Sequence, residues 1–340
     1  MRPRALAALL AALALPSCRS MPPSATRFPT LGSFERLDPA FSALVPEGAH
    51  LELLAEGFDW SEGPVWRKRG GYLLFDDIPK NTTYRWKEGE GISVFLRPAG
   101  YTGPNPPGRE LGSNALTFDA DDRLVMADHG NRQIARLDES IFTKTTLADR
   151  YDGKRLNSPN DLVYRSNGDL YFTDPPYGLK GLNADPAKEL PFNGVYRLRP
   201  NGELTLLTRE LTFPNGLAFS PDERTLYVAN SDPDRAIWMA YPVQPDGTLG
   251  TGRVLFDATP RAKQGLPGLP DGMKVARDGT LFATGPGGIM LLTPDGRHLG
   301  TIVTGQPTAN CAWGDDGSTL YVTANHQLMR IRLGISGARF

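Results

Sequence analysis

Six segments of similar form recur along the chain, and their spacing is the feature that most restricts its fold. Each begins with a polar or glycine-containing stretch, continues into a short apolar run, makes a Gly, Asp or Asn turn and adds further apolar runs. The segments begin at EGPVW (Glu62), SNALTF (Asn114), PNDLVY (Asn160), PNGLAF (Asn215), PDGMKV (Asp271) and ANCAW (Asn310). They recur roughly every 40 to 55 residues, which is the size of one four-stranded blade of a β-propeller.

The fourth segment shows the expected pattern of strands within one blade. The runs GLAFS, TLYVAN, IWMAYPV and RVLFD are separated by the turns PDER and QPDG and by the loop SDPDRA. Short runs rich in Val, Tyr, Phe and Leu favour strands that are buried between neighbouring blades. No helical period with capping residues follows residue 45. The chain is therefore predicted to be all-β and to form a six-bladed β-propeller.

The two ends of this ring are expected to meet in one blade. The last segment supplies only three strands, and the run HLELLAEG at residues 50–57 precedes the first segment without a partner of its own. We expect residues 50–57 to complete the last blade, because closure of the ring removes exposed sheet edges. A free N-terminal strand on an open solenoid is the alternative.

The first residues differ in composition from the rest of the chain. Arg2 and Arg4 precede the apolar run ALAALLAALAL, which is too short to span a bilayer and is typical of an export signal. Residues 1–18 are therefore predicted to direct export to the periplasm. The sequence LPSC ending at Cys18 resembles a lipobox, so a lipid anchor at Cys18 and ordinary cleavage both remain open.

The remaining boundaries follow from composition. Residues 19–45 are rich in Pro and Ser and are predicted to form a tether that continues into a wrap on the domain surface. Residues 46–340 are predicted to form the propeller domain. Besides Cys18 the chain holds one other cysteine, Cys311, which excludes a disulfide within the domain.

Charge excludes one broad class of partner. The formal net charge is -1 at pH 7, which gives no general attraction to nucleic acid or to an anionic membrane. We therefore expect no nucleic acid partner, and membrane attachment only through a lipid at Cys18. The sequence does not indicate an oligomeric state.

The beginnings of the innermost strands of a propeller converge on one face of the ring, around its central channel. Of the six residues at this position, four are predicted to be ligands at the channel, namely Glu62, Asn160, Asn215 and Asp271. Two carboxylates and two carboxamides suit a hard divalent cation, Ca²⁺ first, with Mg²⁺, Mn²⁺ and Zn²⁺ left open. The alternative for Asn215 and Asp271, each of which precedes a glycine, is ordinary turn chemistry.

The ordered set of motifs resembles a known family. SEGPVW, SPNDLVYRSNGDLYFTDPPYG, FPNGLAFSPDERTLYVANSD, GLPDGMKV and TANCAWGDDGSTLYVTA are similar to motifs of the SMP-30/gluconolactonase/LRE family, and most of all to its bacterial gluconolactonase branch. The resemblance covers about residues 30–333. It implies a six-bladed propeller with one divalent cation, usually calcium, at the mouth of the channel. It places the ligands at Glu62, Asn160, Asn215 and Asp271, and leaves open whether Asn160 is a ligand or a substrate contact.

The resemblance also implies hydrolysis of a sugar lactone, with D-glucono-1,5-lactone as the favoured substrate. In that reaction the cation would polarise the lactone carbonyl and Asp271 would activate water as the general base. Five residues on loops of the same face are predicted to contact substrate, namely Asn114, His129, Arg132, Tyr177 and Asp232. Two alternatives remain: a related hydrolase acting on another lactone or a phosphotriester, and a propeller that binds a ligand without catalysis.

Overall fold

Six antiparallel sheets of four or five strands follow one another along the chain in the computed structural model, which describes residues 28–106, 108 and 110–338. The export signal of residues 1–18 and Cys18 lie outside the described residues, so both stay predictions. The described part begins with three strands and one short helix, namely β1 (Thr30–Leu31), β2 (Ser33–Arg36), α1 (Ala40–Leu44) and β3 (Leu51–Glu56).

The first three blades each contain four strands in sequence order. The first blade consists of β4 (Ser61–Arg67), β5 (Tyr72–Asp77), β6 (Thr82–Lys87) and β7 (Gly91–Leu96). The second consists of β8 (Ser113–Phe118), β9 (Leu124–Asp128), β10 (Gln133–Asp138) and β11 (Thr143–Ala148). A small hairpin follows, made of β12 (Arg150–Tyr151) and β13 (Lys154–Arg155). The third blade consists of β14 (Leu162–Tyr164), β15 (Leu170–Asp174), β16 (Gly194–Leu198) and β17 (Leu204–Thr208), with a 3-10 turn at Leu182–Ala184.

The last three blades continue the same order. The fourth consists of β18 (Pro214–Phe219), β19 (Thr225–Asp232), β20 (Arg235–Pro242) and β21 (Arg253–Asp257). The helix α2 (Thr259–Lys263) follows and is a single turn that the sequence pattern did not predict. The fifth blade contains β22 (Met273–Val275), β23 (Leu281–Gly285), β24 (Gly288–Leu292) and β25 (His298–Val303), and the sixth contains β26 (Asn310–Gly314), β27 (Thr319–Ala324) and β28 (Gln327–Arg332).

Strands from the beginning of the chain close the ring. β3 pairs with β28 and becomes the fourth strand of the sixth blade, which confirms the prediction for residues 50–57. β1 adds to the outside of β3, and β2 adds to the outside of β25 in the fifth blade. The N-terminal segment therefore bridges two blades and covers their outer edges, where unpaired backbone groups would otherwise face solvent.

Apolar side chains fill the junctions between blades. Among the described residues the buried apolar side chains form six clusters, and each cluster draws its members from two neighbouring blades. The second strands are buried on both faces, which explains why runs such as LVMAD in β9 and LYFTD in β15 are nearly continuous in apolar residues. Complete burial of one Leu or Phe side chain contributes about 1.5–3 kcal/mol to stability.

The first strands of successive blades contact one another around a closed ring, from β4 through β8, β14, β18, β22 and β26 back to β4. They therefore line the central channel, as the repeat pattern predicted. None of the helices among the described residues is long and apolar enough to cross a membrane.

Candidate active site

Buried polar side chains at the ends of the second strands hold the segments that lead into the channel. The carboxylate of Asp77 accepts hydrogen bonds from the backbone N–H groups of Asp59 (3.0 Å) and Trp60 (3.2 Å), just before Glu62. In the third and fourth blades Asp174 and Asn230 have the same role. These contacts fix the backbone from which the channel-facing side chains project.

In the third blade, Asp174 accepts hydrogen bonds from the backbone N–H groups of Asn157 and Ser158, both at 2.8 Å, three and two residues before Asn160. In the fourth blade, Asn230 Oδ1 accepts the backbone N–H of Phe213 at 2.9 Å, two residues before Asn215. The ladder between first and second strands is also irregular at Pro214/Leu217, as it is at Glu62/Val65. Bulges of this kind redirect side chains near functional sites.

Glycines beside the channel allow neighbouring first strands to come unusually close. A Cβ atom on Gly63, whose φ is 59°, would lie 2.0 Å from the carbonyl oxygen of Asn114. A Cβ atom on Gly216 would lie 2.3 Å from the carbonyl oxygen of Asp271. Asn215 itself lies within strand β18 and not in a turn, so the turn alternative for the Asn-Gly pair is wrong at this position. Gly216 is required because the neighbouring strand lies too close to leave room for a Cβ atom.

One cavity of about 340 Å³ brings together the four predicted ligands at the mouth of the channel. It also contains Asn114 and Tyr177, two of the five predicted substrate contacts. Its lining residues are Trp60, Glu62, Ile78, Glu110, Asn114, Asn160, Tyr177, Asn215, Ser231, Gly268, Leu269, Asp271, Pro307 and Thr308. A larger cavity, about 810 Å³, contains Lys274 and turns such as Arg165–Ser166, and none of the predicted site residues line it.

The two carboxamides differ in their hydrogen-bond partners. Asn160 is buried, and its Oδ1 has no hydrogen-bond partner among the described residues. Asn215 donates its side-chain N–H to Ser231 Oγ at 3.0 Å, which leaves its Oδ1 as an acceptor. A buried amide oxygen without a partner is costly in a folded protein, and a bound cation or substrate would satisfy it.

The two carboxylates lie in an environment that disfavours their charge. Burial raises the pKa of Glu62 to about 8, and the nearby carboxylate of Asp161 adds to the rise, although the Gly63 N–H hydrogen bond to Glu62 Oε2 (2.5 Å) opposes it. Burial, followed by the charges of Glu62 and Asp161, raises the pKa of Asp271. Like charges that are buried together require a compensating cation or protons. This arrangement fits a divalent cation among the oxygen atoms.

The cation would depend on the amide oxygens as well as on the carboxylates. Within residues 28–106, 108 and 110–338, no group of three or more His, Cys, Asp or Glu side chains is close enough to hold a metal ion. Two carboxylates alone do not complete a set of hard ligands, so the amide oxygens of Asn160 and Asn215 are needed beside Glu62 and Asp271. Carboxylate and amide oxygens together are the ligands that suit Ca²⁺.

Three polar side chains near Glu62, those of Asp161, Asn310 and Lys274, were not predicted as part of the site. Asp161 is buried, accepts the Leu162 N–H at 2.7 Å and lies 3.5 Å from the side-chain nitrogen of Asn310. Lys274 Nζ donates to Asn310 Oδ1 at 3.4 Å. Neither Asp161 nor Asn310 is among the predicted site residues; in the structure both lie close enough to Glu62 to affect its pKa. The shared register of Asn310 with the other five segments was the available signal.

Three of the predicted substrate contacts do not reach the cavity wall. Arg132 is buried and donates to the backbone oxygens of Leu156 (2.8 Å) and Ala187 (2.9 Å), so it joins loops. Asp232, at the end of β19, accepts a hydrogen bond from the hydroxyl group of Thr212 at 2.6 Å. His129 is fully buried, and its Nδ1 lies 3.3 Å from Glu110 Oε2.

Residues 60–326 match the sequence profile described as SMP-30/Gluconolactonase/LRE-like region. The chain belongs to this family. Its relatives include a gluconolactonase from Zymomonas mobilis, which is 44% identical over 312 residues, or 89% of this chain and 86% of the relative.

Two solved structures have the same architecture. A gluconolactonase from Xanthomonas campestris is 32% identical, with a TM-score of 0.78 over 92% of this chain and 99% of that chain. A calcium-binding protein, regucalcin, from Agrobacterium tumefaciens is 22% identical, with a TM-score of 0.65 over 84% of this chain and 94% of that one. At this identity the second likeness shows the shared fold alone.

Proposed function

We propose that this chain hydrolyses a sugar lactone, D-glucono-1,5-lactone, to the aldonic acid, and that it uses one divalent cation, Ca²⁺. The class of reaction, hydrolysis of a lactone ester, is supported by the gluconolactonase that is 44% identical over most of both chains. The observation that carries the proposal is the convergence of Glu62, Asn160, Asn215 and Asp271 in one cavity, where Asn160 Oδ1 is buried and has no hydrogen-bond partner in the described part of the chain.

The four side chains fit a hard cation by type and by environment. Glu62 and Asp271 would supply the negative charge, and the amide oxygens of Asn160 and Asn215 would supply neutral ligands. The same amide oxygen of Asn160 could equally accept a hydrogen bond from substrate. When bound, the cation would supply Lewis-acid polarisation of the lactone carbonyl.

The remaining chemistry belongs to side chains of the cavity. Asp271 would take a proton from the attacking water at a carboxylate oxygen, which is the general-base step of ester hydrolysis. Asn114 and Tyr177 line the same cavity and would orient the substrate through hydrogen bonds to its oxygens. Trp60, Ile78 and Leu269 provide an apolar wall that limits access of bulk water.

The test is a rate assay against a panel of substrates. Purified protein with Ca²⁺ is mixed with D-glucono-1,5-lactone, with galactono- and xylonolactone, and with a phosphotriester, and acid release is followed against the spontaneous rate. Fastest turnover of D-glucono-1,5-lactone supports the proposal. Turnover of the phosphotriester alone would replace it with the related hydrolase, and binding of the lactone without turnover would indicate a ligand-binding propeller.

A further inference from the structure

Glu110 is an acidic residue of the cavity that the proposed mechanism does not use. It lies in the long connection between β7 and β8 and lines the same cavity as Glu62 and Asp271. Its side chain is 25% exposed, so it is reachable from the solvent that would carry the substrate.

The backbone that carries Glu110 is held in place on its C-terminal side. The carbonyl oxygen of Leu111 accepts the N–H of Tyr101 at 2.6 Å, and the N–H of Gly112 donates to Ile78 O at 2.8 Å. Gly130 packs against this segment so closely that a Cβ atom there would lie 2.2 Å from Leu111 O. The Glu110 side chain therefore projects from a fixed base.

His129 is a buried neighbour of the Glu110 carboxylate. The imidazole is fully buried, its Nδ1 lies 3.3 Å from Glu110 Oε2, and neither ring nitrogen has a well-formed hydrogen bond within the described residues. A buried imidazole without partners costs stability, unless it serves a neighbouring group. The neighbouring polar group here is the Glu110 carboxylate, which also lines the cavity.

Glu110 does not form a metal-holding group together with the two proposed carboxylate ligands. Glu110, Glu62 and Asp271 share the cavity, yet no three carboxylates among the described residues are close enough to hold a metal ion. An anionic acceptor that does not belong to the ligand set of the cation is suited to neutral hydrogen-bond donors. The hydroxyl groups of a polyhydroxylated lactone are donors of that kind, and an unsubstituted lactone has none.

We infer that Glu110 determines specificity by accepting hydrogen bonds from substrate hydroxyl groups, and that His129 is the positioning residue that holds its carboxylate. This inference rests on the proposed function, because it assigns the carboxylate to the sugar part of the same substrate. It also gives a role to the buried His129, which does not line the cavity and would act through Glu110.

The experiment compares two lactones that differ in hydroxyl groups. Values of kcat/KM are measured for D-glucono-1,5-lactone and for δ-valerolactone with the wild-type protein, Glu110→Gln, Glu110→Ala and His129→Gln. We expect Glu110→Ala to lower kcat/KM for the sugar lactone by roughly 10- to 100-fold and to leave δ-valerolactone nearly unchanged. Glu110→Gln and His129→Gln should show smaller losses with the same selectivity. Glu203→Gln, at an exposed turn, is the matched control.

Two outcomes would overturn the inference: equal losses for both lactones, which indicate a structural role, or no loss for either. Binding of the non-hydrolysable D-glucono-1,5-lactam is measured by calorimetry in parallel. If the wild-type protein hydrolyses neither lactone, the proposed function fails, and the lactam then decides the inference separately. Weaker lactam binding by Glu110→Ala supports it, and unchanged binding, or no binding by the wild-type protein, contradicts it.

Discussion

Asp174 Oδ1 accepts the backbone N–H of Ser158 at 2.8 Å, and so a buried carboxylate at the end of β15 fixes the segment that leads to Asn160. We expect Asp174→Asn to lower the free energy of unfolding by about 1–3 kcal/mol, because an amide nitrogen would face a backbone N–H that needs an acceptor. Urea unfolding at pH 5 measures the change. Asp234→Asn, at a side chain that is 90% exposed, is the control and should change little.

The same carboxylate predicts a dependence of stability on pH. Burial raises the pKa of Asp174 to about 7 from the ordinary value of 3.8, although the N–H groups of Asn157 and Ser158 oppose the rise. Between these values the folded state keeps a proton that the unfolded state releases, so the contribution of Asp174 to stability falls as pH rises from about 4 to about 7.

Unfolding free energies of the wild-type protein and of Asp174→Asn, measured at intervals across that window, test the prediction. The stability of the wild-type protein relative to Asp174→Asn should be greatest near the acid end and should fall steadily toward neutral pH, by up to about 1.4 kcal/mol per pH unit. A difference that stays constant across the window would show that Asp174 is ionised throughout.

Asp271→Asn tests the assignment of the general base. The substitution keeps the size of the side chain and an oxygen atom, but it removes the negative charge and the capacity to take a proton. We expect the rate of lactone hydrolysis to fall by roughly 100-fold or more. Initial rates at saturating Ca²⁺ measure it, with Asp295→Asn at an exposed turn as the control. Undiminished cation-dependent activity in Asp271→Asn would exclude this mechanism.

Gly216→Ala tests the need for close approach of the first strands. The new methyl group would lie 2.3 Å from Asp271 O, so either β18 or the Asp271 backbone must shift. We expect a loss of about 1–3 kcal/mol in unfolding free energy, together with weaker Ca²⁺ binding. Gly202→Ala, with φ of 88° and no atom within 4 Å of the new Cβ, is the control: it adds backbone strain without a steric contact. Equal Ca²⁺ affinity in both variants would argue against the role of Gly216.

Much of the fold could be predicted because the six segments repeat in one register. Glu62, Asn160, Asn215 and Asp271 share a position relative to their strands, so closure of the ring brings them together. The pairing of β3 with β28 followed from the missing fourth strand of the last blade.

The residues whose position relative to the cavity the sequence did not predict lie where the repeat gives no information. Arg132 and Asp232 belong to loops on the predicted face, but backbone oxygens and a threonine hydroxyl use their polar atoms. Glu110 lies in a long connection outside the repeated pattern, and only tertiary packing places it against His129.

The cation dependence of lactone hydrolysis tests the central claim most directly. Protein is stripped with a chelator, its initial rate on D-glucono-1,5-lactone is measured above the spontaneous rate, and Ca²⁺, Mg²⁺, Mn²⁺ or Zn²⁺ is then added back. We predict loss of activity on stripping and full recovery with Ca²⁺, with no recovery in Glu62→Gln at the same Ca²⁺ concentration. Full activity in the stripped protein would contradict the account.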